Sequence, residues 1–278
     1  LAGFILLTTL ALFLKFSVLF PISYAIATAG PVLILSHLTY LSRSYSTQED
    51  NVTSSKVEWY PIGNLLFWAA IIASTLSVAF ILNVGTSFDT YIKNVASFID
   101  EVLKVVQEAQ KVTLSAKDLA QLKYTLAHYI PLMMGASVLL QIILNFWMAA
   151  KITQRSDMLA RPWPDIRTIE TPQAFFIIFA ASLAVIAFVP GMPRLLALCF
   201  TGTFFLASVM AGLTVIHTIT AHMEFRIVLL IALYMALFSM SLTLPVAFII
   251  AIFGVGEPIF KLKQRALERA SRDKSDRE

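Results

Sequence analysis

His217, His222 and Glu224 come nearest in this chain to a metal-ligand cluster. A step of five takes the two histidines off a common helical face, which needs a step of three or four. No further ligand lies nearby in the sequence to complete a zinc set. No metal or other cofactor is therefore expected: His217 should hydrogen-bond within a bundle and His222 should end a helix. The chain also lacks a G-x-x-x-x-G-K-[ST] phosphate loop, a G-x-S-x-G elbow and an H-E-x-x-H pair. It is not expected to be an enzyme, and it is no ATPase by itself.

Polar side chains inside long apolar runs are better clues, because they are costly in hydrocarbon and usually face protein or a water-filled cavity. Gln141 and Asn145 are four apart, so they share a helical face in a charge-free run. Asn64 and Asn83 lie near the two ends of another such run, and Lys15 is the one charge before Arg43. One reading is hydrogen bonding between helices, with Lys15 snorkelling to the interface. The other is a polar pocket for a small molecule, lined by Lys15, Asn64, Gln141, Asn145 and His217. Asp and Glu are missing from the centre of every run, which disfavours a carboxylate proton relay.

The elements that must position these residues follow from composition. Of 278 residues, 58% are hydrophobic and 14% charged, where a soluble domain carries about 25% charge. The 21 Lys/Arg and 17 Asp/Glu are segregated, leaving charge-free gaps long enough to cross a bilayer. Backbone groups in hydrocarbon must pair internally, so each gap should be helical. The expected spans are 2–20 and 22–41 (split near Pro21), 62–84, 126–150, 173–190 and 194–221. The run 227–256 crosses once, or twice as two short helices divided near Pro245. The fold class is thus an all-α polytopic transmembrane bundle of about seven or eight spans. Its parts are a three-span region 1–84, an extracytoplasmic segment 85–125, a four- to five-span region 126–260 and a tail 261–278. The small residues Ala69, Ala73 and Ser77, the pair Ala207 and Ala211, and the pair Ser208 and Gly212 recur at four-residue steps that let helices approach closely.

Between the spans, Phe88, Ile92, Val95, Ile99, Val102, Val106 and Ala109 mark one helical face. Ser115 and Asp118 form a start signal of capping-box type. Two helices are expected, 88–110 and 116–125, the second running into the membrane. They could serve as a packing hairpin, a lid or a dimer contact. Segment 42–58 reads as a flexible polar loop ending at the interfacial aromatics Trp59 and Tyr60. In loop 151–172, Pro162 and Pro164 hold the backbone extended around Trp163, with Arg161 and Arg167 set for lipid phosphates. Counting Lys and Arg by side favours two crossings in 227–256 and a cytoplasmic tail, together with 42–61 and 151–172. From Glu257 to Glu278, seven Lys/Arg are nearly balanced by five acids, so nucleic acid is not an expected partner. The chain starts at Leu1 within an apolar run, which suggests an N-terminally incomplete piece.

Four ordered strings carry a resemblance: Glu58-Trp59-Tyr60-Pro61-x-Gly63; Asn145 to Ala150 with Arg161-Pro162-Trp163-Pro164-Asp165; Gly212 to His217; and Gly254-Val255-Gly256-Glu257-Pro258. Together they resemble the YybS-like family of bacterial multi-pass membrane proteins, over nearly the whole chain. That family is a domain of unknown function, remotely similar to the substrate-binding membrane components of energy-coupling-factor transporters. The resemblance implies a bacterial inner-membrane location, two further spans upstream, a small-molecule ligand of unknown identity and ATPase or other membrane subunits as partners. Asn145, Arg161, His217 and Glu257 fall on the family pattern, without established roles. Two functions are in view: a transport-related small-molecule-binding or permease component, or a structural assembly protein. The second would dock partners through the tail and the loops around Trp59, Tyr60, Arg161, Trp163 and Glu257.

Overall fold

A computed structural model describes residues 25–49, 52–110, 115–165, 169–239, 241–266 and 268. Lys15, span 2–20, Arg167 and the tail beyond 268 lie outside the described residues. After a π-helical turn at Ala25–Ala29, the elements are α1 (Gly30–Tyr40), β1 (Ser42–Glu49), β2 (Val52–Trp59), α2 (Ile62–Val84), α3 (Phe88–Gln110), α4 (Ala116–Arg155), α5 (Gln173–Phe188), α6 (Met192–Ile219), a 3-10 turn (Thr220–His222), α7 (Arg226–Leu237) and α8 (Thr243–Phe260). The chain is therefore predominantly helical. Among the described residues, α2, α4 and α6 are long and apolar enough to cross a membrane, while α5, α7 and the apolar stretch Thr243–Pro258 are shorter.

Segment 42–58 departs from expectation. It is an antiparallel hairpin, with Ser42 opposite Trp59 and Glu49 opposite Val52, rather than a loop. Two residues, Asp50 and Asn51, separate the strands, a length and composition suited to a hairpin connection. Arg43 faces Glu58 across the ladder, a favourable charge pairing, and the Tyr60 N–H extends it by donating to Leu41 O at 3.0 Å. The break in 227–256 also shifts: α7 ends at Leu237 and α8 starts at Thr243. Pro245 sits in the first turn of α8, where its missing N–H would have had no helical partner.

The described residues divide into two units. One holds residues up to Ala69, Ile142–Gln173 and those from Ala207 onward; the other holds Ala70–Gln141 and Ala174–Leu206. In the first, α8 lies close on α6. A Cβ on Gly212 would collide with the backbone of Ile250, and one on Gly254 with that of Ser208. The Ser208/Gly212 stripe is thus a packing seam, as its spacing suggests. α7 has no buried residue, and Ile227, Val228, Ile231 and Met235 are exposed. Apolar exposure of that extent suits lipid and is rare on soluble monomers.

In the second unit, Ile81, Tyr91, Val95, Ile99, Ala127, Leu195 and Cys199 form a buried cluster. The α3 face rotates from the expected stripe: Tyr91, Val95 and Ile99 are buried, whereas Val102 is 45% exposed. A 3.5-residue stripe drifts by about 20° per heptad on a straight α-helix, so its far end leaves the interface. Ser115 caps α4 as expected. Its Oγ accepts the Asp118 N–H at 3.2 Å and donates to the Asp118 carboxylate at 2.7 Å. Lys123 Nζ pairs with Asp100 at 2.6 Å, linking α3 and α4. The Asn94 side-chain amide donates to Val84 O at 2.7 Å, satisfying a carbonyl at the end of α2.

Pro131 lies inside α4. It has no N–H to offer Ala127 O, four residues back. The buried Tyr91 hydroxyl supplies the missing bond, donating to Ala127 O at 2.9 Å. Burial raises the Tyr91 pKa, and Cys199 adds in the same direction, so the donor keeps its proton. Tyr91→Phe should cost about 1–3 kcal/mol by leaving that carbonyl unpaired. In a Pro131→Ala background the restored backbone N–H takes over, and the same change should cost much less. Thermal unfolding of the four proteins checks this; equal losses in both backgrounds would refute it.

Candidate functional site

The first unit gathers the loop residues singled out from the sequence. Arg161, only 9% exposed, donates from Nη1 to Tyr60 O at 2.8 Å. The Tyr60 hydroxyl accepts the Trp68 indole N–H at 3.1 Å. Lys151, near the end of α4, sits 3.6 Å from the centroid of the Trp163 ring, a cation–π geometry. Trp59 closes the β-hairpin opposite Ser42 and lines a recess of about 250 Å³ with Arg43, Glu58 and Tyr60.

Glu257 and Lys263 complete the cluster. Both Glu257 carboxylate oxygens lie 3.2 Å from the Lys263 backbone nitrogen, whose N–H they accept. The Lys263 ammonium donates to Ile169 O. Burial lowers the Lys263 pKa, while Glu257 and Glu170 pull the other way. Gly63 is needed where α2 begins, since a Cβ there would collide with Glu170 O. These contacts bring residues 60–63, Arg161, Ile169, Glu170 and residues 257–263 together. Burial likewise lowers the Arg161 pKa, and among the described residues no carboxylate pairs with it. Its role is to tie its loop to the end of the hairpin.

Of the candidate pocket residues, Asn64, Asn145 and His217 fall in the first unit and Gln141 in the second. Gln141 is exposed, and Asn64 is half-buried and absent from the cavity walls. His217 Nε2 is 2.8 Å from the Tyr234 hydroxyl, a bond between α6 and α7. Lys15 is outside the described residues. Asn145 lines one of the two cavities described next. A four-residue step advances about 40° around a helix, enough at the edge of a face to leave Gln141 outside while Asn145 turns inward.

Two adjoining cavities lie in this unit. The first, about 310 Å³, is almost wholly apolar, with Leu65, Ala69 and Trp147 in its wall and Arg161 and Trp163 at its edge. The second, about 440 Å³, is more polar and is lined by Thr28, Ser36, Tyr40 and Asn145. Thr39, Phe146, Ala150 and Leu159 border both. The sequence reading passed over Ser36 and Tyr40, although their four-residue spacing on α1 was an available signal. The chain matches no protein-family model, no curated protein and no solved structure.

Arg161→Met keeps the apolar stem but removes the bond to Tyr60 O. Protease cleavage within 156–165 should then quicken severalfold, with little change in the unfolding midpoint, since the lost bond is offset by relief of a buried unpaired charge. Unchanged cleavage would show that Arg161 does not hold this loop.

Proposed function

We propose that this chain is a multi-pass protein of the bacterial inner membrane, of YybS-like type. It acts as a transport-related small-molecule-binding or permease component without catalysis of its own. The supporting observation is the pair of adjoining cavities, about 310 and about 440 Å³, in the unit that also holds the loop cluster. Each lies within the range of about 300–1,000 Å³ typical of small-molecule sites. Partner subunits, an ATPase among them, would engage the cluster around Tyr60, Arg161 and Glu257.

About seven or eight spans follow if α1, α2 and α4–α8 each cross, with segment 2–20 as a further crossing. The shorter helices cross where the bilayer thins or neighbouring helices shield them. The Lys263 contact with Ile169 O supports a returning α7–α8 pair, because it brings the start of the tail back to loop 151–172. Lys/Arg placement favours that side as cytoplasmic.

Reporter fusions after residues 110, 165 and 265 should read outside, inside and inside. An outside result at 265 would make 227–256 a single crossing. For the binding role, the purified full chain should gain thermal stability from at least one member of a vitamin and metabolite panel. No shift across the panel, with no co-purifying ATPase, would remove the support for this reading.

A further inference from the structure

We infer that the first cavity takes one hydrocarbon chain of an anionic amphiphile, with the chain among Leu35, Leu65, Ala69 and Ala211 and the head on the Lys151 ammonium. The inference rests on the binding role proposed above and names the chemical class of its ligand. Those four apolar side chains are buried and line the cavity. Two threonines in the same wall turn their hydroxyls back on their own helices. Thr39 donates to Leu35 O and Thr214 to Ala211 O, each at 2.7 Å. The Arg161 guanidinium, at the edge, donates to Tyr60 O. A polar body would lose its hydration against such a wall, whereas a hydrocarbon chain gains by leaving water. Apolar cavities of about 150 Å³ already stay dry and bind small apolar molecules.

The cavity also reaches the surface. Trp147 and Trp163 stand in its wall and are 53% and 39% exposed. Trp147 belongs to α4, which is long and apolar enough to cross a membrane, so lipid would meet the cavity at that edge. Lys151 supplies the place for the head. Its ammonium stands over the Trp163 ring, 3.6 Å from the centroid, and donates to Gln154 Oε1 at 3.1 Å. An ammonium carries three donors. This one is held beside the cavity wall with capacity left for a carboxylate or phosphate oxygen. A bond between two charged groups is roughly twice as strong as one between neutral groups. A free fatty acid and an anionic phospholipid share this chemistry: one chain in the cavity and one anionic oxygen on Lys151.

The test uses the full chain in phosphatidylcholine nanodiscs and a dodecanoate that carries a photoreactive diazirine near its methyl end, with labelled residues mapped by mass spectrometry. Labelling at Leu65, Ala69 and Met210 should saturate. Unlabelled dodecanoate should compete it away, and dodecyltrimethylammonium should not. Ile231, exposed on α7, reports labelling from the bilayer and should not saturate. Lys151→Gln should weaken the apparent affinity for dodecanoate about tenfold, and Lys151→Arg should restore it. Ala69→Phe, or Ala211→Leu if that variant does not purify, fills the cavity and should abolish labelling at Leu65 and Met210. Cavity labelling that does not saturate, or that survives the filling variant, overturns the site. Equal competition by dodecyltrimethylammonium, or no effect of Lys151→Gln, overturns the anionic head. Adding phosphatidylglycerol to the nanodiscs should protect the cavity residues if the bilayer supplies the ligand; labelling unchanged by it assigns the site to a free fatty acid. A vitamin or metabolite that stabilises the chain without displacing the probe keeps the proposed binding role and overturns this ligand class.

Discussion

In hydrocarbon, a backbone N–H or C=O without a partner has no water to turn to. Three of the described helices are long and apolar enough to face that constraint, and Pro131 opens such a gap within α4. The proline removes the donor that Ala127 O needs, in the middle of the long helix α4. A hydroxyl from a different helix restores it. Tyr91 therefore serves two ends at once: its ring fills the core of α3 and α4, and its oxygen closes a gap in the α4 backbone. The same constraint acts at the helix ends. Asn94 covers a terminal carbonyl of α2, and Ser115 covers a terminal N–H of α4.

Side-chain size then decides where helices close and where they leave room. Gly212 and Gly254 let α6 and α8 meet with backbone against side-chain-free backbone. Around α1 and the end of α4, Phe146 and Trp147 stand beside Ala149 and Ala150. Large and small residues there do not interdigitate fully, and two cavities remain. Most of the charge is excluded from this interior and collects in the loops, where Arg161, Glu257 and Lys263 bind segments to one another.

Much of the helical framework was legible from charge and hydropathy. The bounds of α2 and α3 coincide with the expected 62–84 and 88–110, and the Ser115 cap follows from a local pattern. The hairpin at 42–59 was harder to read, because its strands are rich in serine and charge. The candidate site was less legible still. Shared helical face predicted Gln141 beside Asn145, but only packing decides which edge of that face turns inward. The bond between Tyr91 and Ala127 joins residues 36 apart in sequence. Pro131 announced a missing donor in the sequence, though nothing local named the residue that replaces it.

Hydrogen–deuterium exchange of the full chain in lipid nanodiscs tests most directly whether internal backbone pairing holds this structure together. Amides across 62–84, 126–150 and 194–219 should be the slowest to exchange, with no faster patch in the turn before Pro131. The hairpin 42–59 and the loop 156–165 should exchange sooner. Rapid exchange through residues 127–135 at the rate of those loops would contradict the account, because it would mean that the proline gap in α4 stays open.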